Sequence, residues 1–211
     1  MKLPLEKRLR KHAHVLLGQM QDELMEILYS ISNRFILHGG TSIWRCYAGL
    51  RFSEDLDLYL DLLPENFREL IEEKLHSRQL QLKKYKQTDN LIFIKATDGN
   101  IEARVEINLR GRANPIPVPY EKINGTSMIV NSLSLDDLII EKANAFASRR
   151  LIRDVYDVYF LSANAGKSAM SNVRRLLEKS QKPLDERNLE SLVYSGTVPA
   201  FDKMMHALIG R

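Results

Sequence analysis

Phe35-Ile36-Leu37-His38-Gly39-Gly40-Thr41-Ser42, followed by Arg51-Phe52-Ser53-Glu54-Asp55-Leu56-Asp57-Leu58-Tyr59-Leu60, is the stretch on which the fold turns. A short apolar run ends in two glycines, a helix-compatible segment follows, and a second apolar run carries Asp55 and Asp57 two positions apart. In a strand, residues i and i+2 point to one face and stand about 6.5–7 Å apart. The two carboxylates therefore project together, while Leu56, Leu58 and Leu60 project the other way into a core. Such a pair suits divalent cations that hold a triphosphate. Either motif alone is weak, because Gly-Gly is usually a turn and many solvated strand ends carry Asp-x-Asp. Their order and separation favour function.

Upstream of this stretch, Leu9, Ala13, Leu16, Leu17, Met20, Leu24, Ile27, Leu28 and Ile31 recur at helical spacing, predicting a helix over 5–31 that Gly18 kinks or splits. Residues 35–37 read as a buried strand, 41–48 as a helix opened by the glycines, and 55–60 as a second strand. Pro64 suits the first position of a helix over 64–76, with Phe67, Leu70, Ile71 and Leu75 inward. Strand-like runs follow at 80–87, 91–97 and 101–109, the last two joined by the hairpin signal Asp98-Gly99. The prolines at 115, 117 and 119 make 110–125 a crossing loop before a last short strand at 126–130. From Ser134, which with Asp137 resembles a capping box, the pattern is helical: 135–149, 152–163, 167–179, 185–194 and 198–209. Gly166-Lys167-Ser168 is a helix-to-helix turn, since a phosphate loop needs a further glycine where Leu161 stands.

The predicted fold class is α+β: a mixed sheet flanked by helices with a C-terminal helical bundle. The division falls into residues 1–130, a core with an N-terminal helix, and 131–211, a helical part. A chain of 211 residues with 44% hydrophobic and 27% charged residues is an ordinary globular composition. A net charge of +4 and a pI near 9.1 permit a nucleic-acid partner without requiring one. Cys46, the single cysteine, excludes an internal disulfide and a Cys-rich zinc site. The basic start lacks the apolar run of a signal peptide, and no run is long enough to span a bilayer. These features predict a soluble, cytoplasmic protein with no membrane partner.

Three further positions carry chemistry. Glu102 and Glu106 share the polar face of the 101–109 strand, and Glu106, deeper between Val105 and Ile107, is the better candidate for a third acidic group; a solvated strand explains it equally well. Lys142 lies on the apolar stripe of its helix, four residues from Leu138 and Phe146, so it either snorkels or faces a phosphate site. Asp157 is surrounded by Val155, Tyr156, Val158, Tyr159, Phe160 and Leu161; it either pairs with Arg153 one turn earlier or serves as a base with a perturbed pKa.

Taken together, Phe35-Ile-Leu-His-Gly-Gly-Thr, Arg51-Phe-Ser-Glu-Asp-Leu-Asp-Leu, Glu141-Lys142-x-x-Ala145, Arg149 and Arg153-Asp154-x-x-Asp157 resemble the AbiEii/AbiGii toxin family. These are nucleotidyltransferase-fold proteins of the DNA polymerase β superfamily from abortive-infection and toxin–antitoxin systems. The resemblance implies that Gly39, Gly40 and Thr41 hold the nucleotide phosphates at a helix start, with Ser42 and Ser53 as nucleotide-side hydroxyls. It implies that Asp55 and Asp57 bind Mg²⁺ (or Mn²⁺) and activate the attacking hydroxyl; Glu106 is the candidate third metal ligand from the strand pattern, with Glu102 its alternative. Lys142 would contact the triphosphate, and Asp157 would complete the catalytic set from the helical part. The implied reaction moves a nucleoside monophosphate from a nucleoside triphosphate to RNA, the tRNA acceptor end, and releases pyrophosphate; a cognate antitoxin is the implied protein partner. Nucleotidylation of a protein or small molecule is the close alternative. A catalytically silent module of the same fold, or a glycosyltransferase using Asp-x-Asp, stands further off.

Overall fold

In the computed structural model, which describes residues 3–110 and 114–210, the alternation at 55–60 becomes the central strand β2 (Asp55–Tyr59). β1 (Ile36–His38) pairs with it antiparallel and β5 (Glu102–Asn108) parallel. β4 (Leu91–Thr97) and β3 (Gln81–Gln87) extend the sheet beyond β5, and β7 (Ser127–Ser132) and β6 (Ile116–Glu121) extend it beyond β1. The resulting order is β3-β4-β5-β2-β1-β7-β6, a mixed seven-stranded sheet as the α+β reading requires.

The period of two divides this sheet into unlike faces. Leu37, Leu56, Leu58, Ile92, Ile94, Val105 and Ile107 are buried against α2 (His12–Ile31) and α4 (Phe67–Ser77), which contribute Leu24, Leu28, Phe67, Ile71 and Leu75. Each such side chain contributes about 1.5–3 kcal/mol on burial, so reversing the face would forfeit the core. On the opposite face the cover is partial. Ile36 and Leu133, with Ile43 of α3 (Gly39–Cys46), join the core of α5 (Leu135–Arg149), α6 (Ile152–Ser162), α7 (Lys167–Leu177) and α9 (Phe201–Ile209). Over β5, β4 and β3 that same face keeps Arg104, Glu106, Phe93 and Lys95 half-exposed or exposed.

Several boundaries differ from expectation for local reasons. The first helix divides into α1 (Leu5–Arg8) and α2, and the break lies at Leu9, in extended conformation, not at Gly18. Leu5 and Leu9 turn into a small core with Trp44, Phe52, Ile123 and Tyr194, a contact one straight helix would not reach. Gly18 is instead a point of close approach, where a Cβ would run into the Ile123 side chain. The segment 110–125, of which 111–113 lie outside the described residues, is not all loop: β6 forms within it as the sheet's edge. Pro117 and Pro119 sit two apart on that edge, so their missing N–H groups face one side, the position where a strand tolerates proline. β7 runs to Ser132, past the expected end at 130. The 64–76 helix begins at Phe67 because Asn66 adopts a left-handed conformation (φ 54°). In place of a helix over 185–194 there is a 3-10 turn (Glu186–Asn188) and the short α8 (Leu189–Leu192). Beyond α8 the chain extends to pair with 50–52: Phe52 N–H donates to Leu192 O (2.9 Å), Tyr194 N–H donates to Leu50 O (3.1 Å), and Arg51 bridges Val193. Ser134 caps α5 as anticipated, its Oγ accepting from Asp137 N–H at 3.1 Å. Among the described residues no helix is long and apolar enough to cross a membrane.

Candidate active site

The half-covered sheet face opens into a cleft of about 250 Å³ whose lining includes Gly40, Ser53, Asp55, Asp57, Glu106 and Lys142. Register explains the acidic side of it. Asp55 lies opposite Arg104 and Asp57 opposite Glu106 on β5, while His38 lies opposite Asp57 on β1. Burial, with Asp55 and Glu141 nearby, pushes the Asp57 carboxyl above its usual range against the opposing pull of His38 and Lys142. Glu106 is pushed up too, by burial and then by Asp57 and Asp55. Carboxylates that raise one another in this way favour a cation between them.

The two glycines are required by this arrangement. Gly39 has φ +68°, and a Cβ on it would stand 2.5 Å from Asp57 Oδ2. A Cβ on Gly40 would stand 2.6 Å from both Ser53 Oγ and Arg51 Nη2. The absence of side chains at 39 and 40 thus lets the carboxylate and the guanidinium approach the start of α3. Ser42, expected to offer its hydroxyl to the nucleotide, is fully buried, and so is the side chain of Thr41, whose expected contact is through its backbone amide. Thr41 Oγ1 donates to Asp55 O at 2.5 Å, and Ser42 Oγ lies 2.6 Å from Ser132 Oγ. Both hydroxyls are engaged in holding α3 on the sheet, whereas Ser53 is in the cleft lining.

The same cleft has a basic wall contributed by two segments, the loop before β2 and α5. Lys142 is buried rather than snorkelling, with Nζ 3.3 Å from Asp157 and 3.6 Å from Asp154. Asp157 is held not by Arg153 but by Arg51, whose Nε and Nη2 donate to its two carboxylate oxygens at 2.6 and 2.5 Å. Arg149 donates in the same forked manner to Asp154, at 2.7 and 2.8 Å. Burial alone would raise Asp154, but the Arg149 hydrogen bonds, Lys142 and Arg51 hold it below its usual range. Asp154 and Asp157 therefore fix three cations from behind, while Arg51, Lys142 and Arg149 all line the cleft. Arg51 stood in the sequence only as a motif letter, and Arg149 as one of several basic residues able to meet a nucleic-acid backbone. Position 51 carried no signal of burial, because its partner lies 106 positions away.

A second cluster escaped the sequence reading. The His38 ring stacks on Tyr59 (3.8 Å between centroids), His38 Nδ1 lies 3.0 Å from Glu141 Oε2, and Tyr59 O–H donates to that oxygen at 3.2 Å. Burial would raise Glu141, but the His38 contact, with Lys142 and Tyr59, holds it below its usual range. The cluster buttresses Asp57 from the β1 side.

The donor set fits a divalent ion in part. Asp55 Oδ1 is buried without a hydrogen bond, although Arg104 Nε lies 2.8 Å from it, and Asp57 is raised as described. Among the described residues no three His, Cys, Asp or Glu side chains converge to hold an ion unaided. Two carboxylates that leave further positions to substrate oxygens is how proteins hold Mg²⁺ at phosphates.

Residues 26–210 match the family described as nucleotidyl transferase AbiEii toxin, type IV toxin–antitoxin system. Among solved structures, the chain resembles the nucleotidyltransferase toxin MenT4 of Mycobacterium tuberculosis H37Rv, at 20% identity and a TM-score of 0.56, over 92% of this chain and 72% of that one. It also resembles JHP933 of Helicobacter pylori, at 18% identity and a TM-score of 0.60, over 95% and 84% of the two chains. At these identities the likeness to the solved structures is one of fold. A comparison with curated proteins finds no match.

Proposed function

This chain belongs to the AbiEii nucleotidyl transferase toxin family, and from that premise we propose that its cleft moves a nucleoside monophosphate from a nucleoside triphosphate to the end of an RNA, a tRNA acceptor end. Family membership makes it a transferase with a nucleoside triphosphate substrate and an antitoxin partner. The observation that carries the finer reading is the facing of two charged walls across one cleft: Asp55, Asp57 and Glu106 against Arg51, Lys142 and Arg149.

The basic wall takes the β- and γ-phosphates through its positive charge: Arg51 and Arg149 through the N–H groups that their forked pairs with Asp157 and Asp154 leave over, and Lys142 as a point charge. Asp55 and Asp57 are the residues that would hold a divalent ion, Mg²⁺ or Mn²⁺, and when bound it would supply positive charge to the phosphates and lower the pKa of the attacking hydroxyl. The acceptor oxygen bonds to the α-phosphorus as the bond from that phosphorus to the bridging oxygen breaks, and pyrophosphate leaves towards the basic wall. The hydroxyl proton passes to a carboxylate oxygen of Glu106, which lies opposite Asp57 on β5 and lines the cleft. Asp157 acts behind the reaction as the residue that positions Arg51 and Lys142.

Incubating the protein with Mg²⁺, each α-labelled nucleoside triphosphate in turn, and a cell extract separated into RNA, protein and small molecules tests the reading. Label should enter RNA and fall by about 1000-fold for Asp57→Asn, and chelation of the metal should abolish it. Label confined to protein, or absent everywhere, overturns it.

A further inference from the structure

We propose that the uncovered half of the site face, β5-β4-β3, is the bed on which a single-stranded RNA end lies to reach the cleft, with Phe93 stacking a base and Lys84 and Lys86 holding its phosphates. The proposal rests on the RNA reading above and says where on the molecule that acceptor is gripped.

Cross-strand register carries it. Side chains directly opposite one another in a sheet share a face. One row runs Lys86, Phe93, Glu106, Asp57, His38 from β3 to β1, and a second runs Lys84, Lys95, Arg104, Asp55. Both rows begin at the sheet's outer edge and end at the catalytic carboxylates. At about 4.8 Å per strand, Phe93 lies about 10 Å and Lys86 about 15 Å from Asp57, the reach of a few nucleotides. Ile92, Ile94 and Ala96 point into the core on the other face, leaving Leu91 and Phe93 as the apolar side chains of β4 on the open face, Phe93 with Lys86 opposite it and Lys95 two positions on. Lys84 Nζ stands 5.5 Å from the Phe93 ring centroid, which places a cation and an aromatic face side by side. That pairing is how proteins grip single strands without reading sequence.

Charge and chemistry set the polarity of the bed. Glu102 is already engaged by Lys83 and Lys95, and Arg104 by Asp55 and Glu54. Lys84 and Lys86 have no carboxylate partner among the described residues, and both are exposed. The cations that receive pyrophosphate lie on the α5–α6 side of Asp55 and Asp57. In-line displacement brings the attacking hydroxyl in roughly opposite the leaving group, which is the β5-β4-β3 side. The helical part covers the face over β1 and leaves this half open.

The test uses the full chain and a fluorescein-labelled single-stranded RNA of about 12 nucleotides, read by anisotropy over a salt series, beside the label-transfer assay. Lys84→Ala with Lys86→Ala should weaken binding about 10-fold and reduce the slope of log affinity against log salt by about 1.4, roughly 0.7 for each phosphate no longer neutralised. Phe93→Ala should weaken binding about 10-fold with the slope unchanged, and Phe93→Leu, which keeps apolar volume, should do nearly the same. Arg174→Ala with Arg175→Ala, on α7, should bind as the parent does. Binding that depends on the bed without any transfer to RNA would sustain the bed and overturn the RNA-transfer reading. Transfer to RNA that is indifferent to all three bed variants would overturn the bed and leave that reading intact. Absence of RNA binding by the parent, or a bed on which only a protein acceptor depends, also overturns it.

Discussion

At Gly39 two constraints coincide on one residue. Its φ of +68° disfavours any L side chain by about 1–2 kcal/mol, and a Cβ would meet Asp57 Oδ2. Gly39→Ala should therefore lower stability by about 1–2 kcal/mol while cutting nucleotide transfer about 100-fold, because the relief available is to push Asp57 aside. Thermal melting and label transfer on the same preparation read the two effects separately. Lys142 poses the opposite question, whether a buried charge serves the fold or the substrate. Its two carboxylate neighbours keep other partners when it is removed, Asp157 through Arg51 and Asp154 through Arg149. Lys142→Met should consequently leave unfolding free energy within about 1 kcal/mol of the parent while lowering transfer by about 100- to 1000-fold. A loss of stability as large as the loss of activity would make the lysine structural.

The corner between α5 and α6 shows how elements share a charge. Arg149 closes one helix, Asp154 opens the next, and the forked pair sets the angle between them. Asp154 is fully buried and its folded-state pKa is depressed, so its contribution is complete above the unfolded value near 3.8 and is lost as pH falls through the folded value. Asp154→Asn should cost about 3 kcal/mol in urea unfolding near pH 7, and the gap from the parent should narrow as pH falls below the usual carboxylate range. Elements of this kind were legible where a local rule decided them: the Leu56–Leu58–Leu60 alternation, the Ser134 cap, and the inward Lys142 on its apolar stripe. They were illegible where a distant contact decided. Pro117 and Pro119 read as loop because nothing local shows that their strand is an edge, and 193–194 read as helix because their pairing partners are at 50 and 51. The site followed the same division, with Asp55, Asp57, Gly39 and Gly40 declared by spacing and Arg51 visible only once Asp157 lay beside it.

For the molecule as a whole, the cleft is assembled from pieces widely separated along the chain: a sheet that supplies carboxylates, helices that supply cations, and a short extended segment after α8 that binds both sides together. Arg51 is the joint. Its side chain is held by Asp157, and its backbone neighbours are clasped by Leu192 and Tyr194. Expressed in time rather than space, Arg51 is made early and secured late. During synthesis the glycines and both aspartates emerge long before Leu192 and Tyr194, so a nascent chain short of Tyr194 has the residues of both charged walls without the backbone contacts that clasp 50–52.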